Sequence, residues 1–385
     1  MHLGMIAPEW SDNGRNGGIG TYSRIVASAA AASGHTVTVF TADAGRSEIG
    51  DGFRIVPVPA PTEDAAAAAA EFHSALGRLE SDELPDVIEA ADYCGAAALI
   101  AEDPSAPPVT TRLHLPLSVL LRRNGRQRIY GDDDIRRNLE HRQIRTSAQL
   151  TSPTRWLARE VMSQWELLRP PIVVPNPIPP DWLVTGPGQP RTGRPEVLYF
   201  GRLEFRKGVI TLAEAVAEHF AAGSAARMTF LGRDTRWRGY SMVELIRKRL
   251  ESVPDPASYR ILPACSWSTL VRHIDDSDLV VLPSRYENFP YSCLEAMARG
   301  RPVLATTGSG FEEIIDHGRT GFLVAPNDPS ALANALDDCL SDLPRLAGVG
   351  AAARNAVERY AAATVVPRLL DVYGSLRRRH ADGVR

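Results

Sequence analysis

Short apolar runs rich in β-branched residues alternate with stretches of helical spacing from the first residues onward. Residues 3–7 are followed by a helical stretch at 20–32, then by apolar runs at 36–41, 87–90 and 109–113. That rhythm predicts βαβ units and parallel sheets covered by helices on both faces. The pattern breaks at 170–195, where prolines 170, 171, 175, 177, 179, 180, 187, 190 and 195 flank glycines 186, 188 and 193. Such a composition sustains neither a helix nor a central strand, so the interdomain linker is placed there. A second set follows, with apolar runs at 197–200, 228–231, 259–262, 279–282 and 303–305. The alanine run at 65–70 reads as scaffold helix, and 361–379 as a long helix whose basic end, 377–380, suits a helix C-terminus.

Composition narrows the picture. A chain of 385 residues exceeds what one core usually serves, so two domains are expected. A net charge of -3 argues against a polyanion such as nucleic acid as partner. Cys94, Cys265, Cys293 and Cys339 show no paired spacing, and neither a secretory leader nor a membrane-spanning run is evident, which points to a reduced, cytoplasmic protein. Lys207 and Lys248 are the only lysines among 43 basic residues, so a lysine inside a motif draws notice.

Three clusters carry candidate chemistry. Gly17-Gly18-Ile19-Gly20 opens a helix after the first strand, where bare amides suit a phosphate. Plain turn glycines are the alternative. Asp43 at the end of the second strand invites a dinucleotide reading, but Ser23 stands where the third glycine would be. The second cluster is the loop from Gly201 to Gly208, with Arg202 and Lys207 between a strand and a helix, well placed to grip a diphosphate. The third runs from Glu287 through Asn288, Phe289, Pro290, Tyr291 and Ser292 to Glu295. Pro290 suits an early helical position, so Glu287 lies just ahead of the helix and Glu295 about a turn and a half inside it, with the amides of Phe289, Tyr291 and Ser292 at its positive end. Asp132-Asp133-Asp134 offers a D-x-D metal pattern, but acids there suit the cap of a helix at 135–147. Arg122, Arg123, Arg126 and Arg128 read as a solvated loop, with an acceptor-side or membrane-facing surface as the other option.

Glu287 and Glu295 with seven residues between them, the strand after Arg301-Pro302, the stretch Gly308 to Ile315, the Gly201–Gly208 loop, the Gly17-Gly18 turn and Val174-Pro175-Asn176-Pro177 together resemble glycosyltransferase family 4 over nearly the whole chain. The resemblance implies an α/β GT-B fold, two Rossmann-like doubly wound domains facing a cleft. An acceptor-side domain would occupy 1–183, with a C-terminal helix at about 366–385 packing back on it, and a nucleotide-sugar domain 184–365.

By the same resemblance, Arg202 and Lys207 would bind the donor diphosphate and Gly17-Gly18 would meet its distal phosphate. Glu295 would take the ribose hydroxyls, Glu287 the donor sugar, and Leu262 and Pro263 the base. His114 would face the sugar, with Asp92, Tyr93 and Arg122 on the acceptor side. The family commonly has glycine where this chain has Pro290, which removes one amide donor. The implied activity is retaining, metal-independent transfer of a hexose or amino-hexose from a nucleotide diphosphate sugar, UDP favoured, to a hydroxyl acceptor. No cofactor is expected, and peripheral membrane contact stays open. A nucleotide-sugar epimerase, a sugar phosphorylase and a non-catalytic nucleotide-sugar-binding module are the rivals.

Overall fold

The computed structural model describes residues 1–10, 17–42, 49–50, 52–61, 63–124, 132–167, 169–183 and 193–383. The chain divides into two compact units, Met1–Pro179 with Tyr360–Arg385, and Pro180–Arg359.

The first unit contains β1 (His2–Ile6), α1 (Gly18–Ala32), β2 (Thr36–Thr41), β3 (Ile49–Gly50), β4 (Phe53–Pro57), α2 (Ala65–Gly77), β5 (Val87–Ala91), α3 (Ala98–Glu102), β6 (Val109–Arg112), α4 (Leu117–Arg123), α5 (Asp132–Thr146), β7 (Gln149–Ser152), α6 (Arg155–Gln164) and β8 (Ile172–Val173). The second contains β9 (Glu196–Phe200), α7 (Val209–Ala221), β10 (Arg227–Leu231), the hairpin β11 (Arg236–Trp237) and β12 (Tyr240–Ser241), α8 (Met242–Leu250), β13 (Tyr259–Leu262), α9 (Trp267–Asp275), β14 (Leu279–Leu282), α10 (Tyr291–Ala298), β15 (Val303–Thr306), β16 (Phe322–Val324), α11 (Pro329–Ser341) and α12 (Leu343–Ala356). The last helix, α13 (Ala362–Ala381), returns to the first unit and packs on α1 and β5.

The first sheet runs β3-β4-β2-β1-β5-β6-β7-β8 and is parallel except for the β3–β4 pair. The second runs β13-β10-β9-β14-β15-β16, all parallel. Every residue of β5, β14 and β15 is buried, as expected of strands with helices over both faces. In each sheet the strand order reverses next to its first strand, between β1 and β5 and between β9 and β14. Ligands of doubly wound sheets bind outside the carboxyl ends of the strands at that reversal. The loops after β1, β5, β9 and β14 are therefore where chemistry is to be sought.

The expected domain boundaries at 183 and 365 lie a few residues later than the division between the units. Trp182 stacks on Trp267 and meets Tyr291 edge-on, with centroids 5.9 and 5.5 Å apart, which ties the turn Pro180–Trp182 to the second unit. Ile178 N donates to Tyr360 O at 2.7 Å and Ala362 N to Ile178 O at 2.9 Å, which ties the return of the chain to the first. The break at 170–195 does contain the division between the units, at Pro179 and Pro180, but its first part also carries the strand β8. Prolines leave room for β8 because it is a two-residue edge strand, where a missing amide costs no ladder bond.

Candidate active site

The Gly201–Gly208 loop leaves the carboxyl end of β9 and is pressed against the end of its neighbour β14. Gly208 has φ +71, and a Cβ there would sit 1.9 Å from Pro283 O, so glycine alone fits. The tight fit brings the cations of the loop to the segment that follows β14. Lys207 Nζ lies 2.5 Å from Glu287 Oε1, and Arg206 Nη1 lies 3.3 Å from the same oxygen. Ser284 Oγ donates to it as well, at 2.9 Å. Arg206 also donates to Glu204 Oε1 at 2.9 Å, while Arg202, half exposed, stands 3.4 Å from Glu204.

Burial by itself would raise the Glu287 carboxyl, but Lys207 and Arg206 hold it down at about 2, well below its ordinary value. Burial lowers Lys207 despite the attraction of Glu287. Arg206 is held charged more firmly than in water: Glu287 and Glu204 outweigh its burial. Three cations, Arg202, Arg206 and Lys207, thus face two carboxylates, Glu204 and Glu287, in one cluster. The net positive charge, partly withdrawn from water, is suited to a diphosphate. Arg206 was missed in the sequence, where it looked like one more arginine in an arginine-rich chain.

Glu295 lies half-buried in the second turn of α10, as the spacing predicted. Pro290 is the residue just outside the helix, with ψ 109, one place earlier than the reading had it. Phe289 and Tyr291 pack edge-to-face at 6.4 Å. Leu262 closes β13 at the sheet edge, followed by exposed Pro263.

In the first unit, Gly17, with φ +89, precedes α1, and it and Gly18 are exposed. The Glu9 carboxylate is close to Gly17, since a Cβ there would lie 3.0 Å from Glu9 Oε2. The positive end of α1 therefore already has an anion beside it. Asp92 follows β5 and is buried; its Oδ1 accepts from His114 N at 3.0 Å, joining the turns after β5 and β6. Burial pushes the Asp92 carboxyl up to about 7, against the pull of the His114 and Leu115 amides. Burial, helped by Arg112, lowers the His114 imidazole to about 3, so the ring is neutral at physiological pH. Its ring meets Tyr22 edge-on at 5.2 Å. Tyr22 Oη donates to Glu89 at 2.8 Å, and Tyr373 of α13 donates to the same carboxylate oxygen. Tyr93 begins the turn after Asp92 and lies under the Arg136 guanidinium at 5.2 Å.

Two readings are corrected. Arg122 and Arg123 are not in a solvated loop: they end α4 and both donate to Glu160 of α6, Arg122 at 2.5 Å, while Arg123 also covers Trp156 at 5.4 Å. A shared carboxylate and an aromatic face hold them against α6. Arg126, Arg128 and Asp43 lie outside the described residues. Asp132, Asp133 and Asp134 form the first turn of α5 and do not precede it, a place acids also favour beside the positive helix end. Among the described residues no group of three or more metal-ligating side chains converges.

The architecture has solved counterparts. Sucrose-phosphate synthase from Thermosynechococcus elongatus superposes with a TM-score of 0.78 at 20% identity, covering 97% of this chain and 98% of that one. HepE from Anabaena, solved with UDP-glucose, superposes with a TM-score of 0.72 at 18% identity over 97% of this chain and all of the other. The fold is thus that of the GT-B glycosyltransferases, two parallel-sheet α/β units in one chain. Residues 16–182 match Glycosyltransferase Family 4 and residues 194–342 match Glycosyl transferases group 1; the chain belongs to glycosyltransferase family 4.

Among curated relatives, the glycogen synthase of Mycobacterium tuberculosis H37Rv is 33% identical over 165 residues, 40% of this chain and 36% of that protein. The D-inositol 3-phosphate glycosyltransferase of Streptomyces avermitilis is 34% identical over 126 residues, 33% of this chain and 27% of that protein. These matches span about a third of the relatives' own lengths. No helix among the described residues is long and apolar enough to cross a membrane.

Proposed function

We propose that the protein is a retaining glycosyltransferase that moves a hexose or amino-hexose from a UDP-sugar to a hydroxyl of a small polar acceptor. The observation that carries this is the cluster of Arg202, Arg206 and Lys207 about Glu287 at the β9/β14 reversal. HepE, whose structure contains UDP-glucose, supports the choice of base, and the relative named for D-inositol 3-phosphate supports the acceptor class.

In this reading the donor diphosphate lies against Arg202 and Lys207, with Glu295 on the ribose and Glu287 on the sugar. The bond from the anomeric carbon to the phosphate oxygen breaks, the acceptor oxygen bonds to that carbon on the same face, and the acceptor proton passes to the departing phosphate. Fixed cations stabilise the charge that grows on the leaving group, so no divalent metal and no enzyme nucleophile is required. The neutral His114 ring and Asp92 serve the sugar and acceptor side. The four cysteines, all free thiols, fit a reducing cytoplasm.

Thermal melts against UDP-, ADP- and GDP-sugars test the donor, since a ligand stabilises the protein it binds. A UDP-sugar should give the largest shift, and NMR of the product should show the anomeric configuration of the donor kept. No shift with any nucleoside diphosphate, or an inverted product, would overturn the reading.

A further inference from the structure

Helix α5 turns two polar side chains toward the carboxyl ends of β5 and β6. Gln143 Nε2 donates to Ala91 O and to Thr111 Oγ1, both at 2.9 Å, and its Oε1 accepts from Ala97 N at 2.9 Å. One turn earlier, Glu140 Oε1 accepts from Cys94 N at 3.1 Å and its Oε2 from Leu117 N at 2.6 Å. Cys94 belongs to the turn that carries Asp92, and Leu117 to the segment that carries His114. The backbone after β5 is forced onto the helix: Cys94 and Gly95 have φ 59 and 62, and a Cβ on Gly95 would stand 2.4 Å from Leu139 C. A non-glycine residue keeps a left-handed conformation only where its surroundings hold it there.

Gln143 faces one donor and two acceptors, which a neutral amide matches, whereas Glu140 faces two backbone donors, which two accepting oxygens match. Glu140 thus puts a carboxyl, 2% exposed, where burial is costly. The buried Asp92 carboxyl is near enough to act on it. Burial first, then Asp92, raises Glu140 to about 8, against the amides of Leu117 and Cys94 and the charge of Arg136. The other groups facing this pair are Arg112, His114, Tyr93 and Cys94.

We propose that Glu140 is a positioning residue, which locks the turn after β5 to the turn after β6 so that Asp92 and His114 keep one geometry. Its consequence for catalysis rests on the glycosyltransferase reading; the brace itself does not.

Hydrogen exchange by mass spectrometry on the full chain tests the brace. Glu140→Ala should speed exchange tenfold or more in peptides covering 92–97 and 114–119, and leave β5 and β6 protected. Glu140→Gln keeps one accepting oxygen and should release mainly one of the two turns, which serves as the milder variant if Ala does not fold. UDP affinity should stay within twofold of wild type in both variants. With UDP-glucose as donor probe, kcat should fall at least tenfold in Glu140→Ala while donor KM holds, with partial recovery in Glu140→Gln. Unchanged exchange in both turns overturns the brace. Faster exchange with wild-type kcat overturns the positioning role. A wild type that turns over no nucleotide sugar removes the glycosyltransferase reading and with it the catalytic consequence, while exchange still decides whether Glu140 holds the turns.

Discussion

The pairing of Lys207 with Glu287 can be measured by a double-mutant cycle of Lys207→Met and Glu287→Gln. The Glu287 carboxyl sits at about 2 against an ordinary 4.5, in spite of its burial. At about 1.4 kcal/mol per unit this amounts to roughly 3 kcal/mol in favour of the charged form. Lys207 at 2.5 Å is the leading source, with Arg206 at 3.3 Å and Ser284 at 2.9 Å sharing the rest. Because Arg206 stays behind, Lys207→Met should cost about 2 kcal/mol, less than the ~3–5 kcal/mol of a buried charge left wholly unpaired. The two substitutions should show a coupling of about 1.5 kcal/mol.

The sign of the pH dependence follows from a lowered carboxylate. Its contribution is present above the ordinary value of 4.5 and fades as the pH falls through about 2. The gap between wild type and Glu287→Gln should therefore shrink by roughly half from pH 7 to pH 3. Urea unfolding of the four proteins at both pH values, compared by midpoint at common slope, gives the cycle. A coupling under about 0.5 kcal/mol, or a gap that does not narrow in acid, would refute the claim that Lys207 and Glu287 form one charged unit.

Glu89 is raised by burial to about 7, despite Arg112 and Tyr22, so folding takes up a proton there between the ordinary value and 7. Stability should fall as the pH rises from about 4.5 to 7 and level off above, by roughly 3 kcal/mol for this group, and Glu89→Gln should flatten the loss in melts from pH 4.5 to 8. Gly208→Ala should lower the melting temperature and weaken UDP binding together, because a Cβ 1.9 Å from Pro283 O must push the loop off β14; an unchanged UDP Kd would separate the loop from the donor. Glu295→Ala should weaken UDP binding in calorimetry by about 1.5–3 kcal/mol if charged hydrogen bonds to ribose are lost. His114→Ala should leave UDP affinity alone and reduce discrimination among UDP-sugars, so a variant that loses UDP binding would count against a sugar-side role.

Much of this was legible along the chain because it depends on neighbours in sequence. Apolar runs such as 197–200 and 279–282 mark strands that any parallel sheet would bury. The seven residues between Glu287 and Glu295 put one acid ahead of α10 and the other within it, whatever surrounds the helix. Other elements escaped because their signal is not local. The strand β7 reads Gln-Leu-Thr-Ser, yet Thr151 and Ser152 are wholly buried: its place between β6 and β8 supplies the ladder that its side chains do not announce.

Only the tertiary structure decided what the charged residues do. Lys207 and Glu287 are 80 residues apart and meet because β9 and β14 are neighbours where the strand order reverses. Nothing in the local sequence sets Arg206 or Glu140 apart from the other charges of their loop and helix; packing took them out of water and made their partners matter. Arg122 and Arg123 are bound to Glu160 because α4 and α6 lie side by side. Residue types and spacing determine which elements form and which loops can carry chemistry, since those are short-range preferences. Which charges are buried, paired or shifted depends on strand order and helix packing, because electrostatic energy depends on the neighbours and the water that folding leaves around each group.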